Sequence, residues 1–214
     1  MNLTHVYGKL IFEMRCLFMF IRYESFGQFI RLYPIVAFIV GTHLIFFLFS
    51  LLLPDVYYTM IYSWGVGYNA LVSQGEYWRL LTPIFLHSGF GHMLFNSFSL
   101  YLFGPALERI LGRVRFSFLY LFAGIMGNLG TYLFEQADYA HLGASGAVYG
   151  LLGLYFYMKF FRKDLIDPQS AQIVTVFLVL GAIYTFLVPN INVLGHLFGF
   201  VGGTVAGSFI FDKK

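Results

Sequence analysis

HLGASGAVYG, residues 141–150, places Ser145 between Gly143 and Gly146 at the predicted start of a membrane-spanning helix. Small residues let membrane helices approach closely, so packing alone would explain a serine in this motif. Other apolar segments carry polar side chains at a similar predicted depth, namely His92, Asn96 and His196. If the fold brings these side chains to Ser145, the serine has a chemical role rather than a packing role.

The composition indicates an integral membrane protein. Hydrophobic residues make up 59% of the 214 residues and charged residues only 11%, whereas soluble proteins have about 25% charged residues. Six apolar runs have the length of about 20 residues that a bilayer-spanning helix needs. These runs, numbered span 1 to span 6, cover residues 34–53, 84–103, 116–134, 143–160, 171–188 and 190–211. We therefore predict an all-α polytopic membrane protein, a bundle of six transmembrane helices.

The six spans form one predicted domain, residues 34–211. Residues 1–33 mix large apolar side chains with basic ones, which favours a cytoplasmic N-terminal segment with a helix at the membrane interface. This segment is too charged for the apolar core of a signal peptide. Residues 212–214 are predicted to form a short cytoplasmic tail.

Basic residues fall almost entirely on one side of the predicted bundle. Twelve of the 13 Lys and Arg residues precede span 1, lie between spans 2 and 3, lie at the end of span 4 or between spans 4 and 5, or end the chain, and Arg79 is the exception. Lys and Arg accumulate in cytoplasmic loops. We therefore predict a multi-pass protein with both termini in the cytoplasm, in which spans 2, 4 and 6 run from outside to inside.

The connection between spans 1 and 2, residues 54–82, is long and aromatic. Tyr and Trp side chains settle at the headgroup level of a bilayer. The segment holds seven of them: Tyr57, Tyr58, Tyr62, Trp64, Tyr68, Tyr77 and Trp78. We predict an interfacial loop in the outer leaflet between helices 1 and 2.

Glycine spacing predicts that spans 4 and 6 pack backbone to backbone, because rows of small residues let helices approach closely. The rows are Gly146, Gly150 and Gly153 in span 4, and Gly195, Gly199, Gly203 and Gly207 in span 6. His196 lies beside the first glycine of the second row. The packing is therefore expected to bring His196 near Ser145.

Counting residues places the polar side chains at similar depths. The fourteen steps from Ser145 to the last lysine of span 4 cover about 21 Å of a hydrocarbon core roughly 30 Å thick, so Ser145 lies about 9 Å below the outer boundary. His196 lies at about the same depth when counted from Asn190, and His92 lies about 12 Å deep when counted from Ile84. The predicted site is recessed from the outer face.

The residue types at this depth favour nucleophilic catalysis. The spans hold no Asp or Glu there, so a triad with a buried carboxylate is not supported. In a Ser–His dyad, Ser145 would attack, and His196 would take its proton and later protonate the leaving amine. His92 and Asn96 share one face of span 2. With the free N–H groups at the start of span 4, they could bind the oxyanion.

At these residues the chain resembles the rhomboid family of intramembrane serine proteases. The matching features are Gly143-Ala-Ser145-Gly146 in span 4, His92-x-x-x-Asn96 in span 2, His196 with Gly199 in span 6, and the pairs Trp78-Arg79 and Glu108-Arg109 that flank span 2. The resemblance covers about residues 34–211. It implies the six-helix rhomboid bundle as the fold.

The resemblance also implies a role for each site residue. The catalytic pair is Ser145, the nucleophile, and His196, the general base. The oxyanion and supporting contacts come from four further residues: His92, Asn96, Gly143 and Tyr149. Among these, Tyr149 lies one helical turn after the serine and matches an aromatic residue that stacks on the catalytic histidine in the family.

The activity implied by the resemblance is that of a serine endopeptidase. Its expected substrates are membrane proteins, usually single-pass, cleaved in or next to a transmembrane segment with small residues near the scissile bond. The active site is expected to open toward the extracytoplasmic side, in the plasma membrane of a prokaryote. Membrane-protein substrates and the lipid bilayer are the expected partners, and no cofactor, metal or nucleic acid is expected.

Other protease chemistries find little support in the sequence. HExxH is absent, and His87 and His92 are five residues apart without a neighbouring Glu, so a zinc site is weak. No two spans carry opposed aspartates, and residue 147 is alanine, so the GxSxG elbow is absent. The single cysteine, Cys16, precedes span 1 and is not a predicted nucleophile.

Two functions from other classes stay open at this point. The histidines His43, His92 and His196 could line the proton or ligand path of a transporter or channel. A protein that keeps the fold without catalysis could instead hold client membrane helices. Ser145→Ala separates these functions, because only a protease would lose its activity.

Overall fold

The computed structural model describes residues 19–211, and helices dominate it. Its longer helices are α1 (Phe26–Leu32), α2 (Pro34–Leu52), α3 (Phe90–Leu111), α4 (Arg113–Phe134), α5 (Ser145–Phe161), α6 (Pro168–Leu187) and α7 (Val193–Phe211). Short helices cover Pro54–Val56, Ser63–Gly65 and Asn69–Ser73, a π-helix covers Tyr57–Tyr62, and 3₁₀-helices cover Tyr77–Leu80, Thr82–Phe85 and Lys163–Leu165. Two short antiparallel strands, β1 (Gly67–Tyr68) and β2 (Ala140–His141), pair with each other.

The fold is that of an all-α integral membrane protein. Within the described residues, the helices α2, α4, α6 and α7 are long and apolar enough to cross a membrane. The helices α3 and α5, of 22 and 17 residues, pack against them in the same bundle. Phe38 on α2 and Leu187 on α6 are among many large apolar side chains left exposed on the outer helices. Lipid tails, unlike water, would cover such a surface without a free-energy penalty.

The helix at span 2 begins later than the sequence suggests. The apolar run starts at Ile84, but residues 82–85 form a 3₁₀-helix and α3 begins only at Phe90. The early part of the run is apolar because it is buried, with Ile84 and Leu86 at 1% and 2% exposure. The count along one helix from Ile84 to His92, on which the predicted depth of His92 rested, is therefore wrong, since His92 lies in the first turn of α3. The helix ends at Leu111, and the next residue, Gly112, has a φ of +75° that does not continue it.

The glycine rows of α5 and α7 pack backbone to backbone, as the sequence predicts. A β-carbon added at Gly203 would collide with the Gly150 carbonyl group, and one at Gly199 would collide with that of Gly146. α4 joins the pair, since a β-carbon at Gly127 would lie 2.6 Å from the Gly195 carbonyl oxygen. These three helices make the most extensive contacts of the described bundle.

The predictions for the chain ends fall partly outside the described residues. Residues 1–18 and the predicted tail, 212–214, lie beyond them. Within residues 19–33, α1 begins with a capping box in which the Ser25 hydroxyl accepts from the Gln28 N–H and the Gln28 side chain accepts from the Ser25 N–H. The helix leaves Phe26 80% exposed. Its place at the membrane interface stays a prediction.

Arg79 anchors the segment between α2 and α3. Its guanidinium group is buried and donates to the carbonyl groups of Ser63 and Val66 at 3.0 and 2.7 Å, and to the Glu76 carboxylate at 2.6 Å. Earlier in the segment, β1 pairs with β2, so that Gly67 lies opposite His141. The segment is thereby tied to the loop that carries the serine motif.

Candidate active site

Gly143 shapes the loop that leads into α5. Its φ of +127° lies in the left-handed region that favours glycine, and a β-carbon here would lie 2.6 Å from Nε2 of His92. The Gly143 N–H donates to the Pro83 carbonyl oxygen at 2.9 Å. Ser145 then begins α5 after Ala144, which has no polar side chain to cap the helix. The first N–H groups of α5 are thus available to a substrate oxygen.

Asn192 fixes the start of α7, which carries His196. The Asn192 Oδ1 accepts from the Gly195 N–H at 2.8 Å, and the Asn192 carbonyl oxygen accepts from the His196 N–H at 3.2 Å. The side chain also bonds to the Thr131 hydroxyl of α4, with contacts of 2.9 and 3.0 Å. His196, which is 5% exposed, therefore takes its position from the contact between α4 and α7.

The His196 imidazole has defined neighbours on two other helices. The ring of Tyr149 on α5 stacks on it, with centroids 4.1 Å apart and planes inclined by 13°. The Nδ1 atom lies 2.8 Å from Oγ1 of Thr185 on α6. Tyr149 also reaches Thr185, with 2.7 Å between the two hydroxyl oxygens. The ring is therefore held on its face and at one nitrogen, while Nε2 is not part of these contacts.

His92 and Asn96 lie one turn apart on α3. Nδ1 of His92 is 3.1 Å from the Ser88 hydroxyl oxygen, and Nε2 faces Gly143. The Asn96 amide donates one of its hydrogens to the His92 carbonyl oxygen at 2.9 Å. A side-chain amide has two hydrogens, so one remains for another acceptor.

A cavity of about 850 Å³ collects the predicted polar residues. Its lining includes Ser145, His196, His92, Asn96 and Tyr149, whereas Gly143 lies outside the lining, next to the His92 ring. Apolar side chains from α3, α5 and α6, such as Phe95, Leu152 and Leu180, line another part. A volume in this range holds a ligand of small-molecule size, which is also the size of a few residues of extended peptide.

Another histidine lies on the wall of this cavity. His141 ends β2, is 8% exposed, and stacks on Tyr139 with centroids 6.2 Å apart. Burial lowers the pKa of His141 from the ordinary 6.5 to about 4. The side chain is therefore neutral near pH 7.

Comparison with known proteins identifies the family of the chain. The Rhomboid domain profile matches residues 74–213, which is more than half of the chain. The chain is 46% identical over 196 residues to YdcA of Bacillus subtilis (strain 168), covering 92% of this chain and 98% of that protein. This chain belongs to the rhomboid family.

Other members of the rhomboid family are longer than this chain. The rhomboid protease GluP of Bacillus subtilis (strain 168) is 38% identical over 146 residues, which are 68% of this chain and 28% of GluP. The rhomboid-like protease 1 of Toxoplasma gondii is 32% identical over 159 residues, which are 72% of this chain and 54% of that protein. The matched residues 74–213 contain every predicted site residue of this rhomboid.

Two further histidines connect the candidate site to α2. His87 lies between His92, at 5.0 Å between ring centroids, and His43 on α2, at 4.5 Å. His43 is fully buried and its Nδ1 is 3.1 Å from the Ser97 hydroxyl oxygen. Across residues 19–211, no group of three or more His, Cys, Asp or Glu side chains is arranged to hold a metal ion.

Sequence reasoning missed two hydroxyl groups of this rhomboid. Ser88 and Thr185 contact the imidazoles of His92 and His196. Ser88 precedes His92 by four residues, a spacing that brings two side chains of a helix together, and this signal was available. Thr185 carried no signal, because a threonine in an apolar helix ordinarily bonds to the carbonyl group four residues before it.

Proposed function

We propose that this rhomboid is a serine endopeptidase that cleaves transmembrane proteins in or next to their membrane-spanning segment. The observation that carries the proposal is the shared cavity, which is lined by Ser145, His196, His92 and Asn96 together. These four residues come from three helices. A packing role for Ser145 alone would not require the other three side chains to face the same cavity.

The proposed reaction begins at Ser145. Its Oγ attacks the carbonyl carbon of the scissile peptide bond while His196 Nε2 accepts the hydroxyl proton. His196 then gives this proton to the leaving nitrogen as the carbon–nitrogen bond breaks, which leaves an ester on the serine. Water attacks this ester, loses its proton to His196, and releases the acid as the proton returns to Ser145.

The oxyanion would be held by three kinds of donor. They are the first N–H groups of α5, the second amide hydrogen of Asn96, and Nε2 of His92. If the Ser88 hydroxyl donates to His92 Nδ1, the neutral ring carries its hydrogen on Nε2 and can donate toward the Gly143 side of the site. Loss of one such donor typically costs about 10²–10³ in turnover.

The proposed setting is a bilayer crossed by six helices, α2 to α7, with both termini in the cytoplasm. Basic residues at one end of the bundle support this orientation: Arg113 begins α4, and Arg162 follows α5. Glu135 and Asp138 lie at the other end, in the loop before Ser145. In this orientation the site opens toward the extracytoplasmic side. The Bacillus subtilis relatives support a prokaryotic plasma membrane.

Cleavage by purified protein in liposomes tests this function. A fluorescently tagged single-pass substrate is incubated with wild type, Ser145→Ala and His196→Ala, and a serine-directed fluorophosphonate probe is applied to the same samples. We expect product and labelling with wild type alone. Equal product from all three proteins, or wild-type protein that is neither labelled nor active on a panel of single-pass substrates, would contradict the proposal.

A further inference from the structure

The hydroxyl group of Thr185 contacts three helices, α5, α6 and α7. Its Oγ1 lies 2.7 Å from the Gly181 carbonyl oxygen on α6, 2.7 Å from the Tyr149 hydroxyl oxygen on α5 and 2.8 Å from His196 Nδ1 on α7. Thr185 is 4% exposed. All three contacts lie at hydrogen-bond distance in a place where water does not compete with them.

Counting hydrogens decides the direction of these bonds. A threonine hydroxyl has one hydrogen and two acceptor lone pairs, whereas a carbonyl oxygen can only accept. The one arrangement in which all three contacts are hydrogen bonds therefore points the hydrogen of Thr185 to the Gly181 carbonyl oxygen. The two lone pairs then accept from the Tyr149 O–H and from an N–H on His196 Nδ1, and every group in the cluster is satisfied.

We propose that Thr185 is a positioning residue that holds His196 in the tautomer with its hydrogen on Nδ1. In this tautomer Nε2 has a free lone pair, which is what a general base for Ser145 requires. In the opposite tautomer, Nδ1 and Thr185 Oγ1 would face each other at 2.8 Å with a lone pair on each atom and no hydrogen between them, which is repulsive. The inference rests on the proposed function for its catalytic meaning, but the tautomer itself can be measured independently.

The hydroxyl cluster of Thr185 and Tyr149 holds His196 as an Asp holds the imidazole in a serine protease triad, in the correct tautomer and orientation. A buried carboxylate would carry a charge into an apolar bundle, which costs free energy unless the charge is paired. A neutral hydroxyl avoids this cost. When His196 takes the serine proton, its Nδ1–H keeps donating to Thr185, so the protonated ring does not need to turn.

The cluster also orients the plane of the ring. Tyr149 donates its hydroxyl hydrogen to Thr185 while its ring lies flat on the imidazole, with an inclination of 13°. One hydroxyl oxygen thus fixes both the nitrogen of His196 and the aromatic ring that stacks on it. Removal of this oxygen should affect the turnover step more than substrate binding.

Two substitutions at Thr185 test the proposal through kinetics. Thr185→Val keeps the branched shape but removes the oxygen, and Thr185→Ser keeps the oxygen. We expect kcat to fall about 10- to 100-fold in Thr185→Val, the range seen when an orienting partner of a metal-bound imidazole is lost. KM should change little, and Thr185→Ser should recover most of kcat. The matched control is Thr175→Val, which removes another hydroxyl from α6 that, like Thr185, bonds both to its own helix, at Ala171, and to α5, where it accepts from the Lys159 ammonium group, but that is not bonded to His196.

Nitrogen NMR of ¹⁵N-histidine-labelled protein in detergent measures the tautomer directly. The His196 signals are assigned by comparison with His196→Gln. We expect a protonated Nδ1 and an unprotonated Nε2 in wild type and in Thr185→Ser, and a mixed or reversed pattern in Thr185→Val. A wild-type ring with its hydrogen on Nε2, or a Thr185→Val protein with unchanged kcat, overturns the inference.

The two proposals fail in different ways. If wild-type protein cleaves nothing but shows the Nδ1–H tautomer, the positioning inference stands and the protease function fails. If wild type cleaves through Ser145 but the tautomer is the opposite one, the function stands and the positioning inference fails. Equal loss of folding stability in Thr185→Val and Thr185→Ser, with equal loss of kcat, would show a merely structural role and also overturn it.

Discussion

Gly143 illustrates how one residue sets the geometry of the site. Its backbone conformation, with φ at +127°, and its contact with the His92 ring both exclude a side chain. The sequence indicated a glycine beside the serine, and the resemblance to rhomboids gave it a supporting role. The left-handed φ could not be predicted from the sequence, because packing between helices would equally have explained a small residue there.

Gly143→Ala should reduce cleavage about 100-fold or more, because the new β-carbon displaces His92 from the oxyanion side of the site. The strained backbone should also lower the free energy of unfolding by about 1–3 kcal/mol. Gly75→Ala is the control: Gly75 has a φ of +101° but open space around it. Unfolding in detergent should show a similar loss of stability in both variants. Cleavage rates should fall only in Gly143→Ala. Equal activity in the two would contradict the role of the His92 contact.

His141 should make the fold sensitive to acid. Burial lowers the pKa of His141 in the folded protein to about 4, whereas in the unfolded chain it keeps the ordinary value of 6.5. Between these two pH values the unfolded chain binds a proton that the folded chain does not. The stability is therefore complete above pH 6.5 and is lost as the pH falls toward 4, by up to about 3 kcal/mol for this residue. In His141→Phe the free energy of unfolding should fall less over the same range. Other buried histidines titrate in both proteins, so the difference between the two curves reports His141, and parallel curves would contradict the prediction.

The contact between Thr185 and His196 could not be predicted from the sequence, unlike the positions of the other polar site residues. Ser145, His196, His92 and Asn96 were found because polar side chains in apolar spans are costly and therefore informative. A threonine satisfies its own hydroxyl within a helix and carries no such cost. Only the packing of α6 against α5 and α7 reveals that the oxygen also reaches His196.

At the scale of elements, the glycine rows of α5 and α7 were the most informative part of the sequence. Their spacing predicted the close packing that the structure has, because nothing but hydrogen fits between the two backbones. The start of α3 was predicted poorly. A buried 3₁₀-helix and a membrane helix are both apolar, so hydropathy alone could not place the boundary between them.

Gly203→Ala should push α5 and α7 apart, because the added methyl group collides with the Gly150 carbonyl group. Overpacking of this kind costs about 1–3 kcal/mol, and here it also separates the helices that carry Ser145 and His196. Gly41→Ala on α2 is the matched control, since a β-carbon at Gly41 meets open space. The free energy of unfolding in mixed micelles and the rate of fluorophosphonate labelling should both fall in Gly203→Ala and stay unchanged in Gly41→Ala. An intact labelling rate in Gly203→Ala would contradict the expectation that this packing sets the reactivity of Ser145.

For the whole molecule, the distribution of basic residues predicts which end of the bundle faces the cytoplasm. The only cysteine is Cys16, so Cys16→Ser gives a background without thiols. In that background, exposed positions before and after α5 can each receive one cysteine: Asp138→Cys and Lys163→Cys. A membrane-impermeant maleimide added to intact cells should label the first and not the second, and permeabilised cells should allow both. The reverse pattern would contradict the proposed orientation.

The backbone contact between α5 and α7 has a consequence for the lipid around the protein. Helices adapt to bilayers of different thickness by tilting, but two helices in direct backbone contact can tilt only as one rigid body. The outer helix α2, with few buried side chains, can adjust separately, while α6 is tied to α5 and α7 by the Thr185 contacts. We therefore expect kcat to change little between phosphatidylcholines of short and long acyl chains. The protein itself, and not the surrounding bilayer, would then set the distance between Ser145 and His196 that the proposed proton transfer has to cross.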